Sequence, residues 1–316
     1  MLRVRNRHLL QLLPLLLTAA AATTRATAET TSTTGHGGDE SALVAFKAKI
    51  SHHPGALASW NQSTSYCDWE GVTCSKRHRG RVVALDLSSR GLDGTVSPAI
   101  GNLTFLRSLN LSVNTLQGEI PPSIGSLRRL RRIDLSQNML TGAIPSNISR
   151  CISLRVVDID TNKGLQGSIP DEIGSLPYLT YLVLANNHFT GAIPSSLGNL
   201  SRLATLSLST NYLQGPIPAG IGNNPYLGFL QLAANDLSGL LPPSLYNLSS
   251  LYYLSLGTNK LHGRLPADLG KSLPSIWRFA IGGNLFTGPI PLSLTNLTML
   301  TELSMEDNNL SGTFPG

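Results

Sequence analysis

The chain has 316 residues, of which 41% are hydrophobic and 13% are charged, and its formal net charge at neutral pH is +6. It is too apolar for a disordered chain, and its 30 glycines and 19 prolines interrupt it too often for a membrane bundle. The first 28 residues hold four arginines and no acidic residue, which leaves 20 basic against 18 acidic residues, a net charge of about +2. This balance gives no electrostatic reason to expect nucleic-acid or membrane-surface binding.

Residues 1–28 have the form of a secretory signal peptide. Three arginines precede an apolar stretch over 9–22 that is too short to span a bilayer, and A-T-A at 26–28 is a small-residue cleavage signal. Cleavage at Ala22 and an uncleaved anchor are the alternatives. We expect a linker over 29–38 and secretion to the extracellular side of the plasma membrane. No later apolar run reaches 18 residues, so we expect no membrane span.

The next segment combines a helix with two closely spaced cysteines. The stretch SALVAFKAKI over 41–50 predicts a short amphipathic helix, and Asp39 and Glu40 before it suit a helix start. In a secreted chain, the close spacing of Cys67 and Cys74 favours a disulfide between them.

An internal repeat fills the rest of the chain. Its pattern LxLxxNxLxGxIP recurs at steps of 24 or 25 residues. One further copy, LDLSSRGLDGTV, carries Arg90 in the Asn position, so the sequence predicts ten repeats over 81–316 with the last one incomplete. The repeated Asn residues are Asn114, Asn138, Asn162, Asn187, Asn211, Asn235, Asn259, Asn284 and Asn308.

The physical role of each repeat position can be derived from one copy. Leu109 and Leu111 alternate with polar residues, as in a short strand with one buried face. Asn114 follows at the turn, where its amide can bond the backbone of neighbouring coils. One repeat cannot bury its own leucines, so stacked coils with their strands on one face are predicted. Cys151 replaces a core leucine and is expected to be a small buried residue; a reactive or intermolecular thiol is the alternative.

The repeat form LxxLxLSxNxLxGxIPxxIGxL resembles the plant-specific class of leucine-rich repeats, and CDWEGVTC resembles that family's N-terminal cap. The resemblance implies a cap over 39–80 in which Cys67 and Cys74 form a disulfide, with Trp69 and Val72 over the open end of the first coil. It implies an α/β solenoid, a right-handed curved superhelix with a parallel β-sheet on the concave face and an irregular or 3-10 helical convex side. It also implies that the GxIP segments form a second, smaller sheet.

Three stretches are similar to the ectodomains of receptor-like kinases that sense microbial patterns, the group of the grass bacterial-blight resistance receptors and the bacterial-elongation-factor receptor. They are ESALVAFKAKI, LASWNQSTSYCDWEGVTC and RVVALDLSSRGLDGTVSPAIGNL. Such ectodomains continue into further repeats, a second cap, a membrane span and a kinase, whereas this sequence stops at Gly316. A truncated receptor or an unusual soluble form is therefore expected. The sequence has no catalytic or metal-ligand motif, so we expect no enzyme, cofactor or metal.

Ligand binding in a solenoid is expected at the variable positions of the concave sheet, because these side chains do not serve the core. Aromatic and arginine side chains are enriched at such sites. We expect an extended peptide or protein segment to meet the arginines with acidic groups and the aromatic residues with apolar side chains; lateral packing without a ligand is the alternative. The candidate residues are Arg131, Arg132, Arg155, Asp158, Tyr181, Phe229, Gln231, Tyr252, Tyr253, Trp277 and Arg278, and Arg107, Asp134, Asp160 and Glu302 share their positions.

Eight sequons predict N-glycosylation. Four of their asparagines lie twelve residues before a repeated Asn, which places them in one stripe away from the strands and predicts a shielded return side. The sequons begin at Asn61, Asn102, Asn110, Asn147, Asn199, Asn247, Asn296 and Asn309, of which Asn102, Asn199, Asn247 and Asn296 share the stripe.

The sequence is consistent with three functions. The resemblance favours ligand recognition for a plant receptor-like kinase or receptor-like protein in defence signalling. A secreted inhibitor of pathogen cell-wall-degrading enzymes, similar to polygalacturonase-inhibiting proteins, is the second. A co-receptor or decoy whose concave face meets another solenoid is the third.

Overall fold

A computed structural model describes residues 36–51, 55–78 and 80–313. The predicted signal peptide over 1–28 lies outside the described residues, and so does most of the predicted linker. The described residues form one compact unit that contains two α-helices, His36–Lys47 and Leu269–Ser272.

The main sheet has eleven strands within the described residues. Ten of them come from the repeats and pair in parallel with their neighbours in the preceding and following coils, while the cap strand Val72–Cys74 pairs antiparallel with the first. This order confirms the parallel sheet that the sequence predicts. The strands are Val72–Cys74, Val82–Asp86, Ser108–Asn110, Arg132–Asp134, Val156–Asp158, Tyr181–Val183, Thr205–Ser207, Phe229–Gln231, Tyr253–Ser255, Arg278–Ala280 and Glu302–Ser304.

The second sheet differs from the expectation in position and in size. Its repeat strands begin just after the repeated Asn and stop before the Ile-Pro pair, and it also has eleven strands in the described part of the chain. In every repeat but the last, the Gly of the GxIP segment is therefore inside the strand, whereas Pro cannot donate a ladder hydrogen bond and lies at or beyond the strand ends. The strands are Ile50–Ser51, Asp93–Thr95, Thr115–Glu119, Met139–Gly142, Gly164–Ser168, His188–Ala192, Tyr212–Gly215, Asp236–Leu240, Lys260–Arg264, Leu285–Pro289 and Asn309–Ser311.

Short 3-10 turns carry the chain back to the next main-sheet strand. In seven of the eight repeat turns the residue before the turn is a proline, whose fixed φ suits this position. In one further coil the short helix Leu269–Ser272 takes the place of a 3-10 turn. These turns confirm the predicted 3-10 side of the solenoid. They are Pro98–Asn102, Pro122–Ser126, Ser146–Arg150, Asp171–Ser175, Ser195–Asn199, Ala219–Asn223, Pro243–Asn247 and Leu292–Asn296, with Tyr66–Asp68 in the cap.

The repeated asparagines form a continuous ladder between coils. The Asn162 side chain is fully buried, and its Nδ2 donates to the carbonyl of Leu135 in the preceding coil at 3.1 Å and to Ile159 in its own coil at 3.2 Å. Its Oδ1 accepts from the N–H of Leu140, again in the preceding coil, at 3.1 Å. One amide thus satisfies backbone groups that the turn would otherwise leave unpaired inside the core.

The residue before each repeated Asn has left-handed backbone, a feature that the sequence pattern did not predict. In the coil of Val113 this conformation allows the Val113 N–H to donate to Ser136 at 3.0 Å and the Asn114 N–H to donate to Gln137 at 3.1 Å. Since β-branched residues rarely adopt positive φ, stacking must stabilise the turn. The φ values lie between 52° and 66° for Ser89, Val113, Gln137, Thr161, Asn186, Thr210, Ala234, Thr258, Gly283 and Asp307.

The cap helix starts earlier than predicted and ends earlier. It spans His36–Lys47, so Asp39 is inside its first turn, and Ile50 belongs to a strand that pairs antiparallel with Asp93–Thr95. The Asp39 carboxylate is 1% exposed and accepts from Nε and Nη2 of Arg81, each at 3.0 Å, and from the Val82 N–H at 2.8 Å. Asp39 therefore joins the cap to the first repeat strand, which is a contact across 42 residues of sequence.

The rest of the cap agrees with the resemblance. Cys67 and Cys74 form a disulfide with their Cα atoms 5.5 Å apart. Trp69 and Val72 are buried in the core, and the Trp69 ring stacks on Trp60 with centroids 5.2 Å apart.

Candidate ligand-binding face

The outward side chains of the main sheet form three rows, which together make the strand face. The edge row precedes each strand and reads Arg107, Arg131, Arg155, Thr180, Ala204, Gly228, Tyr252, Trp277 and Thr301. The first strand row reads Ser108, Arg132, Val156, Tyr181, Thr205, Phe229, Tyr253, Arg278 and Glu302. The second strand row begins at Asp86 and reads Asp86, Asn110, Asp134, Asp158, Val183, Ser207, Gln231, Ser255, Ala280 and Ser304.

Hydrogen bonds fix the edge row as one continuous line. The N–H of Arg131 donates to the carbonyl of Arg107 at 2.8 Å, and that of Arg155 donates to Arg131 at 2.8 Å. These three arginines are exposed, and none has an acidic partner within salt-bridge distance among the described residues. Among the described residues their guanidinium groups are therefore outside any ion pair along three successive coils, on a face that also carries Asp134 and Asp158 in its second strand row.

Arg132 behaves differently from its edge-row neighbours. Its Nη2 lies 2.7 Å from Oδ2 of the buried Asp134, so this charge is already paired within the protein. Asp158 lies beside Asp134 in the second strand row. Burial, together with the charges of Asp134 and Asp160, raises the pKa of Asp158 to about 6 from its ordinary value of 3.8. Like charges gathered at a half-buried position disfavour the ionised carboxylate.

Four aromatic side chains come together on three adjacent coils. The rings of Phe229 and Tyr253 stack with centroids 4.1 Å apart, and Trp277 meets Tyr253 edge-on at 5.4 Å. Tyr252 lies 6.5 Å from Phe229. The guanidinium of Arg278 lies 5.4 Å from the Tyr253 ring centre and pairs with Glu302. The result is an apolar surface with an occupied ion pair at its border.

All eleven candidate residues of the sequence lie on the strand face, and they divide into two groups. Arg131, Arg132, Arg155 and Asp158 lie in the early coils. The aromatic cluster, with Gln231 and Arg278, lies in the later coils, while Tyr181 stands alone between the groups with its ring 47% exposed. Gln231 uses its Oε1 to accept from the Ser207 hydroxyl at 3.0 Å.

The sequence reasoning missed three side chains beside the edge row. Tyr178, Arg202 and Tyr226 project from the turns that precede it, and the Arg202 guanidinium lies 5.2 Å from the Tyr178 ring centre. They lie before the LxL pair, outside the positions to which the prediction was confined.

The described residues contain no group of His, Cys, Asp and Glu side chains that could hold a metal ion. None of their helices is long and apolar enough to cross a membrane. The Cys151 thiol is fully buried, as expected, and burial raises its pKa to about 11, so it remains protonated at neutral pH.

Comparison with known proteins agrees with this geometry. Residues 36–75 match the family model of the leucine rich repeat N-terminal domain. Three segments, 105–127, 129–151 and 178–200, match the model of the leucine rich repeat. The chain therefore contains leucine-rich repeats behind a leucine-rich-repeat N-terminal domain.

Curated relatives of this leucine-rich-repeat chain are plant receptor kinases. It is 50% identical over 74 residues to the LRR receptor-like serine/threonine-protein kinase EFR of Arabidopsis thaliana, which is 23% of this chain and 7% of that kinase. It is 49% identical over 84 residues to the receptor kinase-like protein Xa21 of Oryza sativa, which is 25% of this chain and 8% of that protein. The matched segments therefore span less than a tenth of those relatives.

Solved structures share the solenoid over most of its length. One is the ectodomain of the receptor kinase GASSHO1/SCHENGEN3 from Arabidopsis thaliana, solved in complex with CASPARIAN STRIP INTEGRITY FACTOR 2. Its TM-score is 0.76 at 33% identity, and the aligned region covers 88% of this chain and 36% of the GASSHO1/SCHENGEN3 chain. Another is the Arabidopsis receptor kinase HAESA, solved in complex with the peptide hormone IDA and the co-receptor SERK1. Its TM-score is 0.72 at 30% identity, and the aligned region covers 88% of this chain and 55% of the HAESA chain.

A plant ice-binding protein has a TM-score of 0.80 at 28% identity and covers 89% of each chain. Proteins with different ligands thus share this fold. The ligand has to be inferred from the side chains of the face and not from the solenoid itself.

Proposed function

We propose that this chain is the extracellular ligand-recognition module of a plant receptor kinase or receptor-like protein, and that its strand face binds an extended peptide or protein segment. One observation carries the proposal: the strand face presents contacting aromatic rings and three exposed arginines, Arg107, Arg131 and Arg155, that form no ion pair among the described residues and do not serve the core. Such side chains are enriched at the centres of protein interfaces. Secretion into the apoplast and a role in defence signalling belong to the same proposal, supported by the predicted signal peptide and by the resemblance of the sequence to receptors that sense microbial patterns.

The structural neighbours support a peptide as the ligand. GASSHO1/SCHENGEN3 and HAESA were each solved with a peptide or protein factor bound, and the HAESA complex also contains a co-receptor. We extend this to the present chain as a proposed partnership with an extracellular peptide and, when that peptide is bound, with a second leucine-rich-repeat protein.

Selection from a displayed library of random peptides of about twelve residues tests the proposal without a known ligand. Peptides enriched on the wild-type protein should bind a Tyr253→Ala/Trp277→Ala double variant at least about tenfold more weakly, because both apolar anchors are lost. Tyr212→Ala is the matched control, since its ring is 52% exposed on the second sheet and away from the strand face. Equal binding of the enriched peptides to the wild type and the double variant would refute the proposed face.

A further inference from the structure

The edge row contains a gap in side-chain volume between its charged and its aromatic ends. Arg155 is followed by Thr180, Ala204 and Gly228 before Tyr252 is reached. The row stays continuous here, because the N–H of Ala204 donates to Thr180 at 2.8 Å and that of Gly228 donates to Ala204 at 3.0 Å. The backbone of the row is therefore continuous while its side chains become smaller from coil to coil, and this decrease in size leaves a trough on the surface.

The trough is visible as a depression of about 570 Å³ lined by Thr180, Arg202, Ala204 and Tyr226. Arg202 and Tyr226 come from the turns before the edge row and form its outer wall, and both are exposed. Neither side chain has an acidic or hydrogen-bonded side-chain partner in the described part of the chain that would close the depression.

Gly228 defines the aromatic end of the trough. A Cβ atom at Gly228 would lie 2.5 Å from a ring carbon of Tyr252, so the Tyr252 ring lies over the space that a side chain would fill. Trp277 continues the row in the next coil, with its N–H donating to the Tyr252 carbonyl at 2.9 Å. The trough thus ends against two aromatic side chains at one end and begins beside three unpaired arginines at the other.

We infer that the edge-row trough binds an extended peptide segment that carries acidic residues at one end, compact residues in the middle and an aromatic or large aliphatic residue at the other end. This inference rests on the proposed function and adds to it the location and the chemical class of the ligand. Arginine suits carboxylates because its planar guanidinium can form two parallel hydrogen bonds with them. A uniformly anionic polymer fits less well, since beyond Arg155 the edge row itself is neutral, Arg202 alone among the lining residues of the trough is charged, and aromatic rings follow.

The geometry also sets the spacing within the ligand. Four coil-to-coil steps separate Arg155 from Tyr252, and at roughly 4.8 Å per step they span about 19 Å. An extended peptide advances about 3.3 Å per residue, so about six residues separate the acidic group from the apolar anchor. The whole path from Arg107 to Trp277 accommodates about ten residues.

A series of fluorescently labelled peptides tests the spacing directly. Each peptide joins three glutamates to one tryptophan through a Gly-Ser spacer of zero to about ten residues, and both chain orders are synthesised. Fluorescence anisotropy should give the tightest binding when the separation is about six residues in one of the two orders, and weaker binding by about tenfold for the shortest spacers. A dissociation constant independent of spacer length would overturn the inference.

Three variants locate the peptide on the protein. Arg131→Ala/Arg155→Ala should weaken binding of the best peptide and reduce its salt dependence, and Tyr252→Ala/Trp277→Ala should weaken it with the salt dependence retained. Ala204→Trp should block the trough and weaken binding at least about tenfold with both ends intact. Gln214→Trp is the matched control, because Gln214 is exposed on the second sheet in the same coil, and it should leave binding unchanged.

The outcomes separate this inference from the function on which it rests. If Ala204→Trp binds the best peptide as tightly as Gln214→Trp, with both variants showing wild-type circular dichroism, the trough is not the site. If no peptide of the series binds but library peptides bind and depend on Tyr253 and Trp277, the inference fails and the proposed function stands. If neither the series nor the random library yields a binder, both fail.

Discussion

Asp86 and Asp158 occupy the same position of the main-sheet strands in different coils, yet their carboxyl groups are perturbed in opposite directions. Burial acts to raise the pKa of Asp86, but hydrogen bonds from the hydroxyl and N–H of Ser88, at 2.8 and 3.1 Å, bring the pKa below its ordinary value. Burial and neighbouring carboxylates raise the pKa of Asp158 to about 6. The neighbours of each aspartate, and not its repeat position, set its ionisation.

Asp158→Asn should therefore stabilise the protein at neutral pH. The folded-state pKa exceeds the unfolded value, so between about pH 4 and pH 6 the folded chain holds a proton that the unfolded chain has released, and stability falls as pH rises through this window. Removing the carboxylate should raise the unfolding free energy at pH 7 by about 1 kcal/mol, a value reduced for solvent screening at this half-buried position, and should have little effect below pH 4. Urea unfolding at several pH values measures both quantities.

Asp86→Ala supplies the matched control with the opposite sign. The folded protein stabilises the ionised carboxylate of Asp86, which is why the pKa of this group is lowered. The substitution should therefore lower the free energy of unfolding at neutral pH. This loss should disappear as the pH falls below the ordinary pKa of an aspartate and the carboxylate becomes protonated. Alanine is used because Asn at this position would create a sequon with Ser88. If Asp158→Asn and Asp86→Ala change the free energy of unfolding in the same direction at pH 7, the assignment of Asp158 is wrong.

Individual residues also mark the limit of sequence reasoning. The repeated Asn could be assigned from the pattern, because an amide that recurs at a turn has few other roles. The left-handed residue before it could not, since Val113, Gln137 and Thr161 share no side-chain preference for positive φ. Hydrogen bonds between the backbones of stacked coils impose that conformation, and backbone hydrogen bonds leave no signal in the sequence pattern.

At the scale of elements, the cap shows how a correct motif can receive an incomplete local explanation. The sequence places Asp39 at a helix start, where an acidic residue is common. In the structure its carboxylate is buried against Arg81 and Val82, and the helix itself begins at His36. Local propensity could not reveal a partner 42 residues away.

The buried pair should dominate the attachment of the cap to the solenoid. Asp39→Ala leaves the Arg81 guanidinium without its carboxylate and should lower the unfolding free energy by about 3 kcal/mol. Glu70→Ala is the matched control, because its ion pair with Arg90 also joins the cap to the first repeat but is exposed, and should cost less than about 1 kcal/mol. Tryptophan fluorescence reports on the cap through Trp60 and Trp69, which are buried there. Equal losses in the two variants would contradict this role for Asp39.

The second sheet and the edge row were predicted to different degrees. The register of the repeats was predicted because 24- or 25-residue steps leave one consistent alignment. The extent of the second sheet was not, because a short N-x-L-x-G segment carries no clear alternation of polar and apolar residues. The trough could not be predicted for another reason: hot-spot residues are large, whereas Thr180, Ala204 and Gly228 shape the surface by being small.

At the scale of the whole solenoid, the sequons of the shared stripe fall at the last residue of a 3-10 turn and are exposed. Asn147 lies in a similar turn but its Nδ2, the atom that would carry a glycan, donates to the Pro122 carbonyl at 2.6 Å. The stripe and the strand face are on different sides of each coil. Glycans on the stripe would leave the strand face open.

Site-specific mass spectrometry of the protein secreted from plant cells should find glycans on the stripe and low occupancy at Asn147, because the folded protein engages that amide. Removal of the Asn147 sequon by Ser149→Ala should leave the mass of the secreted protein unchanged apart from the substitution. The same change at Ser201, which removes the Asn199 sequon, should lower the mass by one glycan. Full occupancy at Asn147, or a bare stripe at Asn199 and Asn247, would contradict the expected pattern.

The edge row has one side chain per coil, so the number of repeats sets the distance between its arginine end and its aromatic end. Each repeat adds roughly 4.8 Å to that distance. Loss or duplication of one repeat between the two ends would therefore change their separation by about one and a half ligand residues. Unequal recombination between repeats in the same register can produce such changes while preserving the stacked arrangement, because every coil contacts only its neighbours. A lineage could thereby change the length of the ligand that it reads in a single genetic event, while point substitutions in the row would change only its composition.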